Sequence, residues 1–149
     1  MYNPFTLAGK KIFITGASSG IGRATAIECS KMGATVVTTG RNEKNLEDTY
    51  NQLIGENHLM ISSDLSKEDG IESLLSQIPI VDGIVHSAGL TKNIPFQFAT
   101  RENFDEVLNI NFYASAEITR RALKAKKIAK NGSGAQASAR TRKNFTGIA

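Results

Sequence analysis

Ile12-Phe13-Ile14-Thr15-Gly16-Ala17-Ser18-Ser19-Gly20-Ile21-Gly22 is the stretch whose reading decides the fold. An apolar run leads into a cluster of glycines, and Arg23 to Met32 continues in a helical pattern. A strand, a tight turn and a helix in that order place the unpaired N–H groups of a first helical turn, and its positive dipole end, at the bend. Gly16 permits the sharp turn, Gly20 lets a pyrophosphate approach the backbone, and Gly22 lets the helix pack closely on the strand. Ser18, Ser19 and Ile21 complete the loop. The spacing is G-x-x-x-G-x-G rather than the G-x-G-x-x-G of the standard dinucleotide fingerprint. Glycines also mark ordinary turns. Here the flanking strand and helix favour a phosphate cradle.

A chain of 149 residues suits one domain and is long enough for a real core. No apolar run reaches the length of a membrane span. Met1-Tyr2-Asn3-Pro4 does not open a basic-then-apolar secretion signal, so a cytoplasmic protein with no membrane partner is expected. The single cysteine, Cys29, excludes an internal disulfide. The net charge of +4 is unevenly distributed: nine Lys/Arg and fourteen Asp/Glu precede Arg120, and nine Lys/Arg with no acid follow from it. Such a basic block reads as a solvated helix face and tail, and with only Phe145 interleaved it does not point to nucleic acid.

Short apolar runs at 11–15, 35–39, 59–62 and 83–86 alternate with helical patterns, the signature of strands buried on both faces. Leu46, Tyr50, Leu53 and Ile54 form one stripe, and Ile71, Leu74, Leu75 and Ile78 another. Asn42 is placed to cap the second helix, Ser66 with Asp69 the third, and Pro79 closes the third. Repeated strand–helix units imply a doubly wound parallel α/β sheet of Rossmann type, with strand order 3-2-1-4. Ligands in such sheets bind beyond the strand ends where the order reverses. The glycine turn and Ser87-Ala88-Gly89 both fall there. Helices are expected over 100–109 and from Asn111 to about Lys130, broken by Asn131-Gly132-Ser133-Gly134. No fifth strand is legible. Residues 134–149 read as a disordered basic tail, the dinucleotide-binding domain spans 1–133, and the fourth strand is expected to be an open edge.

Arg41 follows the second strand, where a dinucleotide fold meets the adenosine ribose. A carboxylate there pairs with the ribose hydroxyls of NAD, whereas an arginine clasps the 2′-phosphate of NADP. No acid lies between Ala34 and Asn42, which favours NADP. Asp64-Leu65 ends the third strand and could border adenine, Asp64 as an acceptor and Leu65 against the ring; Asp64 equally suits a turn or cap. His58 and His86 have no partners at metal-ligand spacing, so no metal site is expected, and His86 reads as structural.

Thr15 to Gly22, Asp64-Leu65, His86-Ser87-Ala88-Gly89 and Asn111 within Leu108-Asn109-Ile110-Asn111 occur in this order at spacings that closely resemble the short-chain dehydrogenase/reductase family. The resemblance covers Lys10 to about Ser133, and the surrounding sequence is most similar to the 3-oxoacyl-[acyl-carrier-protein] reductase branch. It implies an NAD(P)-dependent oxidoreductase with a carbonyl or acyl thioester substrate, working as a homo-oligomer. It also implies that the glycine loop holds pyrophosphate, that Asp64 and Leu65 border adenine, and that Ser87, Ala88 and Gly89 line the cofactor cleft. His86 and Ser87 stand where the family has Asn-Asn. Asn111 matches the asparagine that supports the active-site lysine through water.

The same resemblance implies a catalytic serine on strand five and a Tyr-x-x-x-Lys pair, the tyrosine as proton donor and the lysine lowering its pKa. Tyr2, Tyr50 and Tyr113 are followed four residues later by Thr6, Ile54 and Glu117. The expectation is therefore the cofactor-binding half of an NADP(H)-dependent oxidoreductase, inactive alone. The other readings are a non-catalytic nucleotide-binding module and a truncated, non-functional product.

Overall fold

Successive strand residues point to opposite faces of a sheet, and here both faces are apolar. A computed structural model describes residues 3–137. Its strands β1 (Lys11–Ile14), β2 (Thr35–Gly40), β3 (Leu59–Ser62), β4 (Val81–His86) and β5 (Ile128–Gln136) form one parallel sheet in the order β3-β2-β1-β4-β5. The helices are α1 (Gly20–Lys31), α2 (Glu43–Tyr50), α3 (Glu68–Gln77), α4 (Arg101–Leu108) and α5 (Ala114–Lys124). Phe13, Val37 and Ile84 face one way, into a core with Leu74 and Ile78 at α3 and Ile118 and Ala122 of α5. Ile14 and Val36 face the other, against Ala26 of α1 and Leu46 of α2. This is the doubly wound Rossmann-type arrangement, and it leaves a crevice between the carboxyl ends of β1 and β4.

Of the two helix caps expected, the one at α2 forms. Asn42 Oδ1 accepts from the Asn45 N–H at 2.9 Å, and Thr100 and Asn103 form a reciprocal capping box at α4. Ser66 does not cap α3. The residue preceding that helix is Lys67, and the Ser66 hydroxyl turns back to Asp64 at 2.7 Å. The second stripe is buried as expected, with Ile71, Leu74, Leu75 and Ile78 all inside. The first is cut short. α2 ends at Tyr50, and Ile54 is exposed beyond it, its N–H donating to Ser30 Oγ and its carbonyl bonded to His58 Nε2. His58 Nδ1 accepts the buried Val36 N–H at 3.0 Å, which gives this histidine a structural role.

The largest correction concerns the end of the chain. The expected helix from Asn111 to Lys130 is a π-turn over Asn109–Tyr113, then α5, which stops at Lys124. Lys126 takes a positive φ of 53°, and the Lys126 and Lys127 N–H groups bond back to the Leu123 and Ala122 carbonyls. That reversal starts a fifth strand where none was legible. Gly83, Ile84, Val85 and His86 pair with Ser133, Gly134, Ala135 and Gln136, after an irregularity between the Val81–Ile128 and Gly83–Ser133 pairs that takes up extra residues of β5. β4 is therefore an interior strand, and Ile84 is only 2% exposed. The sheet includes residues 134–136, and the Ala137 N–H donates to the His86 carbonyl; 138–149 of the expected tail lie outside the described residues. Among the described residues, no helix is long and apolar enough to cross a membrane.

His86 ends β4 in a buried position, with Nε2 hydrogen-bonded to Thr119 Oγ1 at 2.8 Å and Nδ1 without a partner among the described residues. Burial pushes its imidazole below the ordinary histidine range. The unfolded chain therefore binds that proton more readily, and stability should fall as pH drops through about 6.5. His86→Asn should flatten the decline in urea midpoint between about pH 7 and 5 relative to the native sequence. Superimposable pH profiles would contradict this.

Candidate functional site

The site is built on a close approach of two chain segments. The buried Thr15 hydroxyl accepts the N–H groups of Ser87 and Ala88, each at 3.1 Å, while the Thr15 N–H donates to the Val85 carbonyl. Ala17 N–H reaches sideways to the Thr39 carbonyl at 3.0 Å. The turn after β1 is thus fastened to the ends of both neighbouring strands. Gly16 has a φ of +67°, and a Cβ there would lie 2.6 Å from the Ala88 nitrogen and the Ser87 oxygen. A Cβ at Gly22 would collide with the Gly16 carbonyl and lie 2.8 Å from Ser87 Oγ. Both positions require glycine because backbone fills the space.

Gly20 is different. Its φ is +53°, yet nothing lies within 4 Å of where its Cβ would be. It opens onto a cleft of about 630 Å³. Ser19, extended at φ −163°, precedes α1 without a side-chain cap, and the first turn carries no acidic residue. The N–H groups of that turn and their partial positive charge are left for an anion. Arg23 does not compete for it: its guanidinium is spent on Thr49 Oγ1 and on the Ser18 and Asn45 carbonyls, tying the turn to α2.

Five further segments close the cleft. Gly40 and Arg41 come from the end of β2, Ser63 and Leu65 from beyond β3, and Ser87 to Thr91 from beyond β4. Ile110 and Asn111 belong to the π-turn, Gln136 ends β5 and Ala137 follows it. Gly40 lies so near the loop that a Cβ would approach Ser18 Cβ and Oγ to 3.0 Å. The buried Ser87 Oγ has no hydrogen-bond partner among the described residues. Asn111 clamps the loop after β4: Oδ1 accepts the Leu90 N–H at 2.7 Å and Nδ2 donates to the Leu90 carbonyl at 3.1 Å.

Of the residues expected from sequence, Gly16, Ser18, Ser19, Gly20, Ile21, Arg41, Leu65, Ser87, Ala88, Gly89 and Asn111 share this lining. Gly22 and Asp64 do not. Gly22 is the packing contact beneath the turn. Asp64 Oδ1 accepts from both the N–H and the hydroxyl of Ser66, and these bonds, with weaker help from Lys67 and Arg41, hold its carboxyl below the ordinary range. Sequence reading missed Arg23, Ser63, Leu90, Thr91 and Gln136. Leu90 and Thr91 directly follow the Ser87-Ala88-Gly89 signal, whereas Gln136 sits on a strand that left no pattern.

A family model described as "short chain dehydrogenase" matches residues 10–138. The chain is 36% identical over 118 residues to the 3-oxoacyl-[acyl-carrier-protein] reductase FabG of Rickettsia bellii, covering 79% of this chain and 48% of that protein. It is 32% identical to an NADPH-dependent pterin aldehyde reductase of Arabidopsis thaliana, covering 76% and 50% respectively. Among solved structures, a 3-ketoacyl-(acyl-carrier-protein) reductase from Brucella melitensis complexed with NADH superposes with a TM-score of 0.71 at 32% identity, over 80% of this chain and 50% of that one. The chain spans about half the length of these relatives.

Proposed function

The chain belongs to the short-chain dehydrogenase family, and from that premise we propose that it is the dinucleotide-binding half of an NADP(H)-dependent oxidoreductase. The observation that carries the reading is the uncapped first turn of α1 opening, at Gly20, into the same cleft as Arg41 and Ser87. The residues fit the group. The N–H groups after Ser19 would hold the pyrophosphate, and Gly20 leaves room for it. Leu65 and Ser63 would wall the adenine, and Ser87, Ala88 and Gly89, which line the cleft after β4, would meet the ligand. Asp64 would act beside the adenine by fixing the turn that carries Leu65. Arg41 favours the 2′-phosphate of NADP over the bare ribose of NAD, because a guanidinium binds phosphate through charge-assisted hydrogen bonds.

The chemistry such a dinucleotide supplies is hydride exchange with a carbonyl or secondary alcohol, and a 3-oxoacyl thioester is the substrate we favour. This chain's residues bind and orient. Asn111 holds the Leu90 backbone at the cleft wall, and its own carbonyl is taken up by Gln136 Nε2 at 2.9 Å. In its family role Asn111 would support an active-site lysine through water; no Tyr-x-x-x-Lys occurs in these 149 residues. In the whole protein we place the fold in a cytoplasmic homo-oligomer that contacts neither membrane nor nucleic acid. A non-catalytic nucleotide-binding module is the second reading, favoured by the presence of the cleft without that pair in these residues.

Arg41→Ala should weaken NADP(H) binding by roughly 1.5–3 kcal/mol, the scale of a charged hydrogen bond, and leave NAD(H) nearly unchanged. Titration calorimetry with both cofactors checks this, and equal losses would count against the assignment. The 149-residue chain itself should not oxidise NADPH with an acetoacetyl thioester at an enzyme-like rate. It lacks the proton donor, and general acid catalysis contributes about 10²–10⁴-fold. Turnover at 340 nm within the usual range of about 1–10³ per second would reveal another donor.

A further inference from the structure

The cleft has a second built end, assembled by three chain segments that are distant in sequence. Gln136 closes β5 opposite His86 and lines the cleft. Its Nε2–H donates to the Asn111 backbone carbonyl at 2.9 Å. That carbonyl sits in the π-turn Asn109–Tyr113, and such wide turns loosen main-chain carbonyls from the α-helical ladder and recur at functional sites. Asn111 in turn binds the Leu90 N–H and carbonyl through its side chain. Two side chains therefore make, among the described residues, three bonds that join β5, the π-turn and the loop after β4. The sheet order puts β2, with Arg41 beyond it, and β5, with Gln136 at its end, on opposite flanks of the β1–β4 crevice. A linear ligand whose phosphates rest at Gly20 and whose one nucleoside reaches toward Arg41 must extend its other half toward Gln136.

From this latch we infer that Gln136 is a positioning residue for the nucleoside half lying beyond the pyrophosphate. It ties the π-turn to β5 and so fixes the wall that this half would rest against, a role that depends on the dinucleotide reading proposed above. It is an exposed residue at a strand end, so replacing it removes a hydrogen bond without opening a cavity. Gln136→Leu keeps most of the bulk and loses the donor. Gln136→Glu keeps the length and sets an acceptor against the Asn111 carbonyl.

The test uses the full 149-residue chain and two probes, NADPH and 2′,5′-ADP, the second spanning only the adenosine end. In titration calorimetry both variants should bind NADPH about five- to tenfold more weakly and 2′,5′-ADP within about twofold of the native sequence, the effect of losing one hydrogen bond at the far end. Hydrogen exchange should quicken across 109–113 and at Leu90. Equal losses for both probes would reduce Gln136 to a general structural residue, and unchanged NADPH affinity would remove its role; either result overturns the inference. If the native chain binds neither probe, the dinucleotide reading itself fails before any variant is compared, and the role of Gln136 falls with it.

Discussion

The structure depends on how closely the turn after β1 approaches the end of β4. One hydroxyl, that of Thr15, takes two consecutive N–H groups of the opposing strand's exit, Ser87 and Ala88. Two glycines remove the Cβ atoms that would keep the backbones apart. Buried backbone donors are costly to leave unpaired, so this contact satisfies the strand exits and shapes the crevice in one arrangement. α1 can then begin with its N–H groups aimed into the crevice, because Gly22 rests on Gly16 and Ser87 rather than on water.

Everything else in the cleft is arranged around that contact. Arg23 spends its guanidinium on holding the loop against α2. Ser66 occupies the Asp64 carboxylate and fixes the turn from which Leu65 enters the wall. On the other flank, Asn111 performs for the loop after β4 what Thr15 performs for the strand exits. The polar side chains of the site are thus divided between those whose hydrogen bonds are satisfied within the protein and those left facing the cleft, Arg41 among them, while the Ser87 hydroxyl is buried against Gly22.

The fold was legible wherever side chains carried the periodicity. Phe13 against Ile14, and Val36 against Val37, alternate between two buried cores, and such strands announce themselves as apolar runs. β5 was not legible because its ladder is made by backbone groups of Asn, Gly, Ser and Ala, whose side chains bury little. Its pairing partner β4 supplies most of the apolar surface, and only Ile128 packs on the core. The site followed the same division. Residues of the glycine turn and of Ser87-Ala88-Gly89 were found because their chemistry lies in local spacing. Gln136 depends on a register that no local pattern records. For Asp64 the sequence left two readings, an adenine contact and a turn, and the structure shows the turn: Ser66, two residues on, donates both its N–H and its hydroxyl to one carboxylate oxygen.

We propose the open face at Gly20 as the pyrophosphate seat. It is tested most directly by titrating the native chain and Gly20→Val with NADPH in parallel with thermal melting by circular dichroism. Saturable binding to the native chain and none to the variant is expected, with the sheet still melting cooperatively but at a lower temperature: the valine meets no protein atom within 4 Å of its Cβ, yet must hold a φ of +53° in the loop. Normal NADPH affinity in Gly20→Val would show that the loop is only a turn and that no pyrophosphate sits there.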